Sequence, residues 1–229
     1  MKSADEQELI RRSVQLNSRA YERALKQFRV GMTERELAAR IGFEMRKLGA
    51  EGEAFPAIVA SGEHSALPHA EPRDVRIGAG RLLLVDMGAS VEGYASDMTR
   101  VAHVGKPGRK AKALYEAVLE AQMAALEAVR AGVEAGAVDR AARQVLARLG
   151  YGEQFKHSTG HGLGLEIHEA PRLGAKSKVR LEAGMAITIE PGAYLPGFGG
   201  VRIEDTVLVT ERGCEVLTPT TKELVVLAA

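Results

Sequence analysis

The sequence predicts an α+β fold made of two related halves, each a helix pair that leads into a β-hairpin. Three observations predict it. Landmarks of one helix pair, Ala24-Leu25, Gly31, Leu37, Leu48 and Gly49, return at one constant spacing as Ala125-Leu126, Gly132, Val138, Leu149 and Gly150. Two later segments read alike: Leu83-Leu84-Val85-Asp86-Met87-Gly88 with Ser96-Asp97-Met98-Thr99-Arg100, and Thr188-Ile189-Glu190-Pro191-Gly192 with Ile203-Glu204-Asp205-Thr206-Val207. A third echo lies between helices and hairpin, Pro68-His69-Ala70-Glu71-Pro72 in one half and Ile167-His168-Glu169-Ala170-Pro171 in the other. One domain over residues 1–229 is expected, with halves of about 5–109 and 110–229.

The elements follow in order from hydrophobic periodicity. Apolar residues at helical spacing place helices over Asp5 to Phe28 and Thr33 to Leu48, the second opened by the capping box Thr33-Glu34-Arg35-Glu36. Runs rich in β-branched residues place strands at Ala57–Ser61, Leu82–Met87 and Asp97–Val104. The second half repeats the plan. Helices are expected over Lys110 to Arg130 and Ala135 to Leu149, then strands at Met185–Glu190, Arg202–Thr210 and Leu224–Val226.

Composition narrows the function class. With 229 residues, 45% apolar and 27% charged, the chain is ordinary for a soluble enzyme. A net charge of +1 provides no steering field for nucleic acid, and the basic clusters at Arg11-Arg12 and Lys106 to Lys112 read as solvated surface. No apolar run approaches the roughly 20 residues that span a bilayer, and the first residues are polar and acidic rather than signal-like. The single Cys214 excludes an internal disulfide and suits a reducing compartment. A cytoplasmic protein that engages neither nucleic acid nor membrane is expected.

The chemistry resides in the hairpins. Two antiparallel strands closed by a glycine turn bring their carboxylates together on one face, so Asp86 with Asp97, and Glu190 with Glu204, form two pairs of hard oxygen ligands. Together with His161 they could hold two divalent ions. Four carboxylates and one imidazole suit Mn²⁺ or Co²⁺, admit Fe²⁺ or Zn²⁺, and, lacking thiolates, argue against a structural zinc.

At these residues, with Thr159-Gly160-His161-Gly162-Leu163-Gly164, His168-Glu169 and Gly200-Val201-Arg202-Ile203-Glu204-Asp205-Thr206, the chain resembles the pita-bread metallopeptidases. That family comprises methionine aminopeptidases, Xaa-Pro aminopeptidases and prolidases. The resemblance covers nearly the whole chain from about Glu8 and implies duplicated halves around a curved, mostly antiparallel sheet. Pro68-His69-Ala70 and Arg202 look more like the Xaa-Pro branch. The implied activity is two-metal hydrolysis of the N-terminal peptide bond of short peptides, with proline preferred second. Methionine aminopeptidase-like activity, or hydrolysis of another C–N bond on the same fold, are the alternatives.

The resemblance also distributes roles. Asp97 and Glu204 bridge or chelate, Asp86 holds one ion, and His161 with Glu190 holds the other. His69 and His168 look like the groups that hydrogen-bond the substrate carbonyl. Arg202, two residues before Glu204, is expected on the same face, paired with a ligand carboxylate such as Asp97. Arg172 reads either as a partner for the substrate carboxylate or as a surface arginine, and Tyr94, at the hairpin turn, is expected to wall the pocket. His64 and His157 read as support or solvent residues and His103 as structural. Relatives in the Xaa-Pro branch usually carry a separate N-terminal domain, whereas this sequence begins almost directly with the first helix. The expectation is an open site that accepts peptides longer than dipeptides, in a monomer or homodimer.

Overall fold

The computed structural model describes residues Met1–Ala229. The first half contains α1 (Ala4–Lys26), α2 (Glu34–Lys47), β1 (Gly52–Glu53), β2 (Ile58–Ser61), β3 (Leu82–Met87), β4 (Ala89–Val91), β5 (Tyr94–Ala95) and β6 (Met98–Val104). The second contains α3 (Arg109–Ala128), α4 (Ala135–Arg148), β7 (Gly160–Gly162), β8 (Glu169–Leu173), β9 (Ala186–Ile189), β10 (Gly192–Leu195), β11 (Gly199–Arg202), β12 (Asp205–Val209), β13 (Cys214–Val216) and β14 (Val225–Leu227).

The helices begin and end where local chemistry stops them. Thr33 and Glu36 form the expected capping box, and Ser3 with Glu6 forms a second at the start of α1. The duplication is visible at the helix ends. Gly49 and Gly150 both take a positive φ, and behind them Ala50 N donates to Met45 O at 3.0 Å and Tyr151 N to Leu146 O at 2.7 Å. This is the same Schellman closure twice, and it requires a residue that tolerates the left-handed region.

Two sheets carry the site. One runs β14-β6-β3-β2 and the other β13-β12-β9-β7-β8, with every neighbour antiparallel except β14 on β6. Each helix pair covers one sheet. Tyr21, Leu37, Ile41 and Met45 pack on Leu83, Val85 and Met87, whereas Leu114, Val118, Val138 and Leu146 pack with Ile187, Ile189, Val207 and Val209. Alternation along β3 then decides where Asp86 points. Leu83, Val85 and Met87 enter the first core, so Leu82, Leu84 and Asp86 face the opposite side.

The hairpins differ from the simple expectation in two ways. The predicted strand Arg202–Thr210 is broken, because β11 ends at Arg202 and β12 begins at Asp205, leaving Ile203 and Glu204 between ladders. Each hairpin has an inner ladder, β3–β6 or β9–β12, and an outer one, β4–β5 or β10–β11. Asp97, Glu190 and Glu204 lie in the breaks between them. The second difference concerns register. Asp86 stands opposite Thr99, and Thr188 stands opposite Thr206, so Asp86 corresponds to Thr188 and not to Glu190. Asp97 and Glu204, each two residues before its threonine, are the true structural counterparts.

Candidate metal centre

The five residues singled out in the sequence share one cleft of about 450 Å³, together with His69, His157, His168, Arg172 and Arg202. A larger cavity of about 560 Å³ lies elsewhere, lined by Arg73, Arg81 and Lys110 with Glu63 as its sole carboxylate. The smaller one carries the convergent acid groups.

His161 projects from β7. Its Nδ1 lies 2.9 Å from Gly162 O, and because a carbonyl only accepts, Nδ1 carries the proton. In the neutral ring this leaves the lone pair on Nε2, which lies 3.5 Å from Asp97 Oδ2 and 3.3 Å from Glu190 Oε1. Thr188 holds this corner, accepting from His161 N at 3.1 Å and donating to Glu190 Oε1 at 3.2 Å. The glycines beside His161 serve backbone approach rather than substrate approach: a Cβ at Gly160 would meet Thr188 O at 1.9 Å, and one at Gly162 would meet Ala170 O at 2.3 Å.

Arg202 reaches across from β11. It pairs with Asp86 rather than with Asp97, because Asp86 sits within the β3 ladder on the face toward β11, whereas Asp97 lies beyond the ladder's end. Its Nε donates to Thr99 Oγ1 at 3.1 Å, and Thr99 donates to Glu204 Oε2 at 2.6 Å. Its Nη1 donates to Tyr194 OH at 2.6 Å and to Pro68 O at 3.3 Å. Tyr194 in turn lies 2.8 Å from His157 Nε2. A line of buried hydrogen bonds thus runs Asp86, Arg202, Tyr194, His157.

The electrostatics are those of a crowded acid site. Burial, and then the charges of Asp86 and Glu190, push Asp97 well above the usual carboxylate range. Burial raises Glu190 against the opposing pull of His161 and Arg202, and burial followed by Asp97 raises Glu204 strongly. Burial and nearby Arg202 lower His157 to about 4, and burial lifts Tyr194 to about 12. Both are neutral near pH 7. Burial, and then His161, lowers His168 as well.

These residues fit a divalent cation. Asp86 Oδ1 and Glu204 Oε1 are buried without any hydrogen-bond partner, a costly state for carboxylate oxygens unless a cation satisfies them. Ligand atoms of Asp97, His161 and Glu204 all lie within 4.8 Å of one another. Asp86, Asp97, Glu190 and Glu204 share one buried guanidinium, Arg202, and with His161 they form a donor set of oxygens and a single imidazole.

Other sequence expectations separate here. His69 and His168 stand exposed at the cleft, the His168 ring 4.4 Å edge-on from the His161 ring. Arg172 lines it too, opposite His161 on β8, with Nε donating to Ser158 Oγ at 3.3 Å. Tyr94 does not wall the pocket. It sits on the outer β5 strand, its hydroxyl donates to Glu6 Oε1 at 3.1 Å, and it packs beside Ile10 and Val14, because the outer ladder carries it toward α1. His64 lies outside the cleft lining and is not a solvent residue, since its Nδ1 meets buried Glu34 at 3.0 Å. His103 binds Gly105 O at 2.8 Å, a structural role as expected. Tyr194 was missed. It lies in a glycine-rich segment whose only signal was position, eight residues before Arg202 and on the same hairpin.

The chain matches the model of metallopeptidase family M24 over residues 8–211. It is 47% identical to a Xaa-Pro dipeptidase of Pyrococcus furiosus, an alignment that covers 98% of this chain and 64% of that protein. Among solved structures it resembles an X-Pro aminopeptidase from Thermotoga maritima MSB8, with a TM-score of 0.97 at 43% identity over 99% of this chain and 64% of that one. A prolidase from Pyrococcus furiosus gives 0.95 at 47% identity over 96% and 66%. The chain spans about 64% of the length of the curated relatives it matches. No helix is long and apolar enough to cross a membrane. A match of this length, together with near-superposable folds and the buried carboxylate and histidine cluster, establishes that the chain belongs to metallopeptidase family M24.

Proposed function

We propose that this chain houses the catalytic centre of an aminopeptidase that cleaves the first bond of short peptides with proline second, using two divalent ions of manganese or cobalt type. The observation that carries the reading is the pair of partnerless buried oxygens, Asp86 Oδ1 and Glu204 Oε1, within a cluster of four carboxylates and one imidazole. Asp86, Asp97, His161, Glu190 and Glu204 would hold the metal. Bound divalent ions supply Lewis acidity toward the substrate carbonyl and make water nucleophilic near neutral pH.

The remaining residues bind, orient and hold protons. Arg202 pairs with Asp86 and aims it, and through Thr99 it also steadies Glu204. Neutral His168, exposed at the cleft mouth, donates a ring N–H to the carbonyl oxygen that becomes negative during attack, and His69 does so from the opposite half. His168→Ala and His69→Ala are therefore expected to lower kcat by about 10²–10³ while metal content stays at the wild-type level. Elemental analysis beside the kinetics checks this. A variant that loses its metal and regains wild-type rates with excess Mn²⁺ would make that histidine a ligand or a support for one.

Substrate length is set at Arg172. Its guanidinium is exposed, as are His69 and His168, so a peptide can continue past its second residue on that side. Xaa-Pro tripeptides are expected to be cleaved at least as well as Xaa-Pro dipeptides. Comparing kcat/KM for a matched pair with added Mn²⁺ tests both the activity and the length rule. A dipeptide preference of about tenfold or more, equivalent to about 1.4 kcal/mol, that disappears in Arg172→Ala would show the arginine gripping the proline carboxylate instead.

A further inference from the structure

The segment that carries His69 has no regular structure beyond a short 3-10 turn at Gly62–Ala66, yet it must hold that imidazole opposite the second half's carboxylates. Its tip is anchored to β11: Ser65 Oγ accepts from Gly200 N at 2.9 Å, and Pro68 O accepts from Arg202. Its two ends meet at one carboxylate. Glu34, first residue of α2, leaves the helix cap to Thr33 and Glu36 and turns inward, its side chain without exposed surface. Oε1 accepts from Ser61 N at 2.8 Å and Ser61 Oγ at 3.1 Å. Oε2 accepts from Arg73 N at 3.1 Å and Arg73 Nε at 3.3 Å, and lies 3.0 Å from His64 Nδ1. Burial alone would raise its pKa, but the bonds from the Arg73 side chain and the Ser61 and Arg73 amides hold it below the usual value.

We propose that Glu34 is a positioning residue: by tying Ser61, His64 and Arg73 together behind the cleft, it fixes where His69 stands against the four carboxylates. This rests on the reading of His69 as a substrate-facing group. The physical case is one of entropy and strain. An irregular segment fixed only at its tip can swing, and a displacement of about 1 Å at a reacting group costs about 10² in rate. One buried anion with donors from both ends of the segment removes that freedom, and an amide in its place would turn an NH₂ toward donors that need an acceptor.

The test is a double-mutant cycle with a second readout. Glu34→Gln is expected to lower kcat on an Xaa-Pro tripeptide by about tenfold or more in the wild-type background, with metal content unchanged. In the His69→Ala background it is expected to change kcat by less than about twofold, because the group it positions is gone. In metal-free protein, amides of residues 62–72 are expected to exchange about tenfold faster or more in Glu34→Gln, with α3 and α4 unaffected. Equal losses in both backgrounds, an unchanged kcat, or unchanged exchange would each overturn the proposal. If Glu34→Gln does not fold, Ser61→Ala and Arg73→Gln remove single contacts. They are expected to give the same pattern at about threefold, and equal losses in both backgrounds again count against it. A wild-type chain inactive on every peptide would sink the functional reading, and the exchange comparison would still decide on Glu34.

Discussion

Asp97→Ala and Glu204→Ala are each expected to lower turnover of an Xaa-Pro peptide by about three orders of magnitude or more, roughly 4 kcal/mol of barrier. The reason lies in their position. Each occupies the break between the inner and outer ladder of its hairpin, each stands two residues before the threonine that anchors the inner ladder, and their ligand atoms converge with that of His161. Ser158, the one serine of the cleft lining, has its hydroxyl paired with Arg172 Nε, and Cys214 lies outside the cleft. Both variants are expected to fold, because deleting one of several crowded carboxylates relieves repulsion that burial makes expensive. Steady-state rates with elemental analysis and a thermal melt check this. A variant with intact metal content and rates near wild type would remove that residue from the site.

The second large effect is on stability. Asp205→Ala is expected to cost about 3–5 kcal/mol, because it strands the Arg100 guanidinium inside the protein. Side-chain exposure is 2% for Arg100 and 0% for Asp205, and the two meet at 2.7 Å. Gln122 and Lys222 donate to the other Asp205 oxygen at 2.7 and 2.8 Å, and Arg100 also donates to the carbonyls of Thr220 and Thr221 at 2.8 and 3.0 Å. The cluster therefore joins β6, β12, α3 and the C-terminal segment at the residue after Glu204. For a chain of this size the loss corresponds to a fall in Tm of about 6–20 °C. Denaturant unfolding of metal-free wild type and variant measures it, and a cost below about 1 kcal/mol would mean that water reaches Arg100.

Helix ends, inner strands and the carboxylate and histidine cluster were legible because each has a local cause. The capping box at Thr33, the Schellman glycines Gly49 and Gly150, and the β-branched runs around Val85 and Ile189 are written in consecutive residues. Four carboxylates in two similar segments, with His161 from a separate glycine-rich motif, also pointed to one cleft, and the fold brings all five there. The short outer strands were not legible. β4, β5, β10 and β11 are two to four residues long and take their shape from the ladder beneath them, which is why Tyr94 was assigned to the wrong side. Register was also hidden, since Asp86 and Glu190 look equivalent in sequence and differ by two residues once Thr99 and Thr206 are used as rulers. The long-range partners, Arg202 with Asp86, Tyr194 with His157, Arg100 with Asp205 and Glu34 with Arg73, leave no mark at fixed spacing.

The account stands on the metal dependence of the carboxylate cluster. The most direct measurement is turnover of an Xaa-Pro tripeptide by chelator-dialysed protein, before and after Mn²⁺ is added back, with bound metal counted in each sample. The expected result is no turnover in the metal-free sample and recovery as up to two ions bind per chain. Full activity in a sample verified to be metal-free would contradict it.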